Sequence, residues 1–374
     1  MLSALEGAAG AFIVLAVLVD VFLSVIVPRA VGRRYRLSAH IVPPLWRVWR
    51  ALAINVRDED RRENVLATFA PLVLVALLAM WVAGLVIGYG IILYAVREQL
   101  RPVPDLGASL YFAGSSLLTI GYGDIVPIAS FPRIVSLAAA ASGLGVLAVT
   151  TAFLFQLFSA FQQREVFVVS LSTQAGQPPS GVTLLENHAR LGIVDDLGNV
   201  FTEGQRWSAQ VMESHMAYPM LSYFRSSHDH ESWVATLGAL LDAATLMVSA
   251  VDGGPIGKAK LMNGMGRHAT HDLGQYFSLP TGSSVGVERH EFEVARARLA
   301  EAGYRLTSAD EAWERFASLR ATYATPLDAM ARWWRIPPAE WVGDRSLLPV
   351  RHLAPAALIS SPAPPQPVSR ASER

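Results

Sequence analysis

Among the 374 residues there is no cysteine. Disulfides, thiol nucleophiles and cysteine-ligated zinc or iron–sulfur centres are therefore excluded, and the redox compartment is left open. A surplus of charge is also missing, since 31 Lys and Arg balance 31 Asp and Glu, and a neutral chain lacks the field that would draw a nucleic acid. Charge of either sign is sparse at 17%, against 52% hydrophobic residues. Such a chain is too apolar to be wholly soluble and long enough for two units. The glycine-rich stretch Gly253-Gly254-Pro255-Ile256-Gly257-Lys258-Ala259 lacks Walker spacing and the hydroxyl residue after lysine, and no G-x-G-x-x-G follows a strand pattern. No nucleophile–base pattern is present, so an enzyme is not expected. No regular Arg-x-x-Arg ladder interrupts an apolar segment, which discounts a voltage sensor.

What is present is a series of apolar runs. Ala8 to Val27 has the length of a transmembrane helix, with Glu6 rather than a basic cluster before it and Pro28-Arg29 after it, unlike a signal peptide. Asp20 within it costs on the order of 2.5–3.5 kcal/mol at mid-membrane and is expected to face protein or water. From Arg29 to Asn64 the chain carries arginines 29, 33, 34, 36, 47, 50, 57, 61 and 62. That density makes the loop cytoplasmic by the positive-inside rule and leaves the N-terminus outside. Ile41 to Arg50 mixes tryptophan with arginine, as a helix lying on the lipid surface would. Val65 to Val96 reads as a second span, with Gly84 and Gly88 on a small-residue face, and Phe131-Pro132 opens a third that continues to about Phe161.

Between the second and third spans lies Thr119-Ile120-Gly121-Tyr122-Gly123-Asp124. Glycine enters the left-handed region at little steric cost, so Gly121 and Gly123 alternating with Ile120 and Tyr122 let consecutive carbonyls aim at one axis and replace a cation's hydration shell. Asp105 to Leu118 has the length of a half-spanning pore helix, with Asp105 as its N-cap. Residues 105 to 127 resemble the pore loop of the potassium-channel superfamily. With the flanking helices, the resemblance to two-helix prokaryotic ion channels covers about residues 65 to 163. It implies that Thr119, Ile120, Gly121, Tyr122 and Gly123 form the K⁺ sites, with Asp124 at the outer mouth. Ile120 stands where that family often has valine. Gly143, matching a hinge glycine of related channels, and Gly145 interrupt the third span, where they either bend the helix or admit a close neighbour. Phe155, Phe158 and Phe161 share a face near its inner end, as a hydrophobic constriction or a lipid-facing row. One filter loop per chain cannot enclose an axis, so a homotetramer is expected.

The expected fold is an all-α membrane protein: an N-terminal membrane helix at 1–28, a basic interfacial segment at 29–64, a tetrameric pore domain at 65–163, a mostly helical cytoplasmic domain at 164–345 and a Pro/Ala/Ser-rich tail at 346–374. In the fourth part Val166 to Ser172 with Thr183 to Leu185 reads as a short strand pair. Helices are expected at 203–216, 231–250, 256–277, 286–301, 308–323 and 326–334, with Ser308 to Glu311 as a capping box. His228, His230, His268 and His271 are metal-ligand types, although loop histidines beside Ser and Asp are more often caps or solvated. The nucleotide-binding domain common in prokaryotic potassium channels is not evident, so no ligand is assigned to the cytoplasmic part. The expected function is a potassium-selective channel of the cell membrane, assembled or gated by its cytoplasmic domain. A weakly selective cation channel and a membrane-anchored receptor or enzyme with a vestigial pore are the alternatives.

Overall fold

The computed structural model describes residues 2–27, 37–56, 58–228 and 231–343. Arginines 29, 33, 34, 36 and 57, His230 and the 346–374 tail lie outside these. Three helical stretches are long and apolar enough to cross a membrane among the described residues: Leu2–Ile26, Asp60–Ala95 and Ser130–Ala175. The chain is an all-α membrane protein. It divides into two compact units, the first comprising residues 1–167, 206–229 and 268–279, the second the remainder.

In the first unit, α1 (Leu2–Val21) ends in a π-helical turn, Phe22–Ile26. It packs on α4 (Phe69–Ala95) at backbone distance, because glycines face each other. A Cβ added at Gly10 would lie 2.6 Å from the Gly88 carbonyl oxygen, and one at Gly88 would lie 2.7 Å from Val14 Cγ2. The small-residue face expected at Gly84 and Gly88 is thus the α1 contact. Ahead of α4 come α2 (Leu37–Ile54) and α3 (Glu59–Ala67). Only Thr68 separates α3 from α4, with helical φ/ψ of −71° and −15°. The tryptophans of α2 face the protein, while Ile41, Leu45, Val48 and Leu52 form its exposed apolar face. Trp46 is buried edge-on to Phe69 at 4.9 Å and to Tyr223 at 5.4 Å. Trp49 Nε1 donates to the Val65 carbonyl at 2.8 Å. Aromatic partners and a waiting carbonyl offered these rings more than the interface could.

The third span, α6 (Ser130–Ala175), runs 46 residues, well past Phe161. It absorbs the first half of the expected strand pair, while Thr183 to Leu185 fall in α7 (Gly181–Arg190), whose N-cap Ser180 accepts from the Thr183 N–H at 3.2 Å. The β-branched run at Val166 favoured a strand locally, but Val168, Leu171 and Ala175 are buried at helical spacing, and that packing decides.

In the second unit, α9 (Trp233–Ser249) is buried over nearly its whole length and packs on α7, α12 (Ala309–Arg320) and α13 (Ala324–Trp334), while α11 (Arg289–Glu301) packs on α7 and α12. Its one acid, Asp242, receives Arg320 Nε at 3.0 Å and the Tyr323 hydroxyl at 2.6 Å, while Arg320 Nη2 donates to the Trp341 carbonyl at 2.7 Å. Arg298 spans Glu186 at 2.7 Å and Glu340 at 3.2 Å. The expected capping box at Ser308 does not form: the Ser308 hydroxyl turns to the Glu311 carboxylate at 3.4 Å. At the start of α11, Glu291 does accept from the backbone N–H of Glu288, at 2.7 Å. The remaining helices are α8 (Leu197–Ala217) and α10 (Ile256–Tyr276).

Candidate functional site: a pore helix and its loop

The site is built on α5 (Leu106–Leu117). Asp105 caps it as expected, accepting from the Ala108 N–H at 2.7 Å, and the Ser109 hydroxyl donates back to the Asp105 carbonyl at 2.8 Å. Glycine lets α5 nest against α4, since a Cβ at Gly90 would lie 3.0 Å from Leu110 Cα. From the other side α6 meets the end of α5, and a Cβ at Gly143 would lie 1.9 Å from the Leu117 carbonyl oxygen. Gly143 is therefore a close-approach glycine in an unbroken helix. Gly145 has nothing within 4 Å of such a Cβ. Tyr89 of α4 shares a 2.7 Å hydrogen bond with Ser142 of α6, completing a frame around the short helix.

Where α5 ends, the backbone alternates. Thr119, Gly121 and Gly123 have φ of 56°, 65° and 80°, all left-handed, while Ile120 and Tyr122 do not. An L-residue pays roughly 1–2 kcal/mol in that region, so Thr119 must be held there. Ser115 supplies the hold. Its carbonyl accepts from the Ile120 N–H at 2.8 Å and its buried hydroxyl from the Gly121 N–H at 3.2 Å, while the Ser116 carbonyl takes the Thr119 N–H at 3.1 Å. Ser115 had no role in the sequence reading, because a serine inside an apolar helix carries no signal until its partners are known. Tyr122 stacks on Tyr111 of α5 with centroids 6.2 Å apart and planes 8° apart. This contact braces the loop against the pore helix.

Residues 118 to 124 are exposed in the single chain, and Ile125 is buried. Beyond the loop, β2 (Val126–Pro127) pairs antiparallel with β1 (Leu100–Arg101), and the Ile128 N–H donates to the Gln99 carbonyl at 3.0 Å. Both ends of the 118–125 segment are thus tied down while its middle is bare.

Residues 80–160 match the family model described as "Ion channel". The matched segment is about a fifth of the chain. It begins within α4, contains α5 and the 118–125 loop, and ends within α6. A relative from Bacillus subtilis (strain 168), described as an uncharacterized membrane protein YdjJ, is 23% identical over 188 residues, which is 49% of this chain and 54% of that protein. The chain thus matches about half the length of that relative. No solved structure matches.

Other candidate residues fall away from the 118–125 loop. Asp20 is 2% exposed and accepts from Trp81 Nε1 at 2.7 Å, so it faces protein as expected. Phe155 is 73% exposed. Phe158 and Phe161 both pack on Phe224, at 6.1 and 5.6 Å. The turn that carries Phe224, residues Pro219–Tyr223 and just beyond, also receives Arg164, which donates to the carbonyls of Leu221 at 3.1 Å and Phe224 at 2.9 Å and pairs with Glu165 at 2.9 Å. His215 lies against that arginine, with Nε2 3.3 Å from Arg164 Nη1 and Nδ1 2.7 Å from the Val211 carbonyl. These partners assign the proton to Nδ1. Burial, reinforced by the Arg164 charge, holds the His215 pKa well below the usual imidazole range. No group of three or more His, Asp and Glu able to hold a metal occurs among the described residues. His268 approaches Asp272 at 3.6 Å, and His271 approaches Asp272 at 3.4 Å and Gln275 Nε2 at 3.2 Å.

Proposed function

We propose that the protein is a potassium-selective channel whose pore is formed by four copies of the chain. One observation carries this reading. Thr119, Gly121 and Gly123 are left-handed in alternation with Ile120 and Tyr122, the backbone pattern required for successive carbonyls to serve one ion pathway. The loop's exposure in the single chain supports completion of the site by further copies. In this reading Thr119, Ile120, Gly121, Tyr122 and Gly123 hold K⁺ as cargo, and Asp124 gathers cations at the outer mouth. The arginine-rich 29–64 segment supports a cytoplasmic location for that loop and an outside N-terminus in the cell membrane. The packing of Phe158 and Phe161 on Phe224, beside the Arg164 anchor, supports control of α6 from the 219–224 turn. Phe155 is then left to form the constriction.

The deciding experiment is reversal-potential measurement on protein reconstituted in liposomes under opposed KCl and NaCl. A potential near that of potassium is expected. A potential near zero would reduce the protein to a weakly selective cation channel, and absence of flux would remove the pore reading. Topology is tested on the same protein: with no native cysteine, single cysteines at residues 5 and 62 report their side of the membrane to an impermeant thiol reagent.

A further inference from the structure

The first unit encloses a cavity of about 320 Å³. It lies among the π-helical turn after α1, the start of α2, the first half of α4, the middle of α6, the 219–224 turn and the last residues of α10. That volume is within the roughly 300–1,000 Å³ of ligand sites, and like them the cavity is mostly apolar with a few polar groups. No charged side chain lines it. Of its lining residues Val75 and Phe158 are 66% and 48% exposed, so the opening is framed by apolar side chains. A hydrated polar solute would lose its water against that frame, whereas a molecule already dissolved in hydrocarbon would not.

One wall group lacks its counterpart. Thr150 is buried in α6, and its hydroxyl has no hydrogen-bond partner among the described residues. A helical threonine ordinarily satisfies itself on the carbonyl four residues back. Its neighbour Thr151 does so, on Leu147 at 2.9 Å. The Thr150 hydroxyl therefore meets no acceptor among the described residues, at the edge of a chamber that is mostly hydrocarbon.

We infer that this cavity binds one acyl chain of a membrane lipid, with an ester carbonyl of that lipid accepting from the Thr150 hydroxyl. The occupant's chemistry follows from three features together: mostly apolar walls, an apolar mouth on helices that cross the bilayer, and the buried Thr150 donor without an acceptor among the described residues. The acyl chain lies between α6 and the 219–224 turn.

The test places a photoreactive benzoylphenylalanine at Phe153, a half-buried aromatic in the wall, and in a parallel full-length protein at Leu137, an exposed α6 residue outside the cavity. Both are irradiated in phosphatidylethanolamine–phosphatidylglycerol vesicles and read by peptide mass. Lipid adducts are expected at both positions. Filling the chamber with Leu78→Trp should abolish the adduct at 153 and leave that at 137; Leu74→Phe serves if the first variant does not fold. An adduct at 153 that survives filling would overturn the proposal. So would a crosslink from 153 to a second copy or to the 28–36 peptide, since the cavity would then have another occupant.

Discussion

The Trp81 indole N–H meets Asp20 Oδ2 at 2.7 Å, joining α4 to α1 through a pair separated by 61 residues. Removing the acceptor strands a buried donor, at about 1–3 kcal/mol. Asp20→Leu is expected to lower thermal stability in detergent by that order, and Asp20→Asn, which keeps an acceptor oxygen, by less. Equal stability of the leucine variant and the parent would show that the pair contributes nothing.

Gly121→Ala and Gly123→Ala each place a methyl on a residue at φ of 65° or 80°, with open space around it. Strain rather than collision is the damage, about 1–2 kcal/mol per site. Reversal potentials in mixed potassium and sodium should shift toward zero or conduction should cease. Unaltered selectivity in both variants would remove the filter role of these residues.

Gly143 and Gly145 should respond in opposite directions. Alanine at 143 collides with the Leu117 carbonyl, whereas at 145 it meets nothing, and in a helix interior it gains up to about 1 kcal/mol over glycine. Gly143→Ala is expected to lower thermal stability and disturb the pore helix, and Gly145→Ala to be neutral or stabilising. Intact stability with altered open probability for Gly143→Ala would favour a hinge over a packing role.

His215 gives a pH signature. Its folded pKa lies below the ordinary value of about 6.5, so below that pH the unfolded chain takes up a proton the folded one refuses. Its contribution to stability is full above about pH 6.5 and declines as the pH falls toward the folded value. Chemical unfolding at pH 7.5 and 5.5 should show the loss, and His215→Gln should reduce the difference between the two. An equal pH dependence in the variant would assign it to other groups.

The membrane spans and the pore helix with its Asp105 cap were legible because they rest on composition and on partners three residues apart. So were the left-handed glycines, since their residue type states the backbone need. Longer-range pairings were not. Ser115 and the Asp242–Arg320 bond, across 78 residues, look like ordinary polar residues until the chain folds. The strand expected at Val166 failed because local β-propensity lost to the helical spacing of buried Val168, Leu171 and Ala175. The inward packing of Trp46 was not legible either, since an aromatic ring suits a lipid surface and a protein core equally well.

The Asp20–Trp81 bond also sets a clock for biogenesis. While the chain is being made, α1 reaches the bilayer before the Trp81 partner of its carboxylate, which follows 61 residues later. At about 5–20 residues per second that interval is roughly 3–12 s. During it the nascent helix lacks the Trp81 donor, and docking of α4 supplies it. Slowing translation between codons 27 and 81 should therefore increase degradation of the wild-type chain while sparing Asp20→Leu, even though the leucine variant is the less stable finished protein.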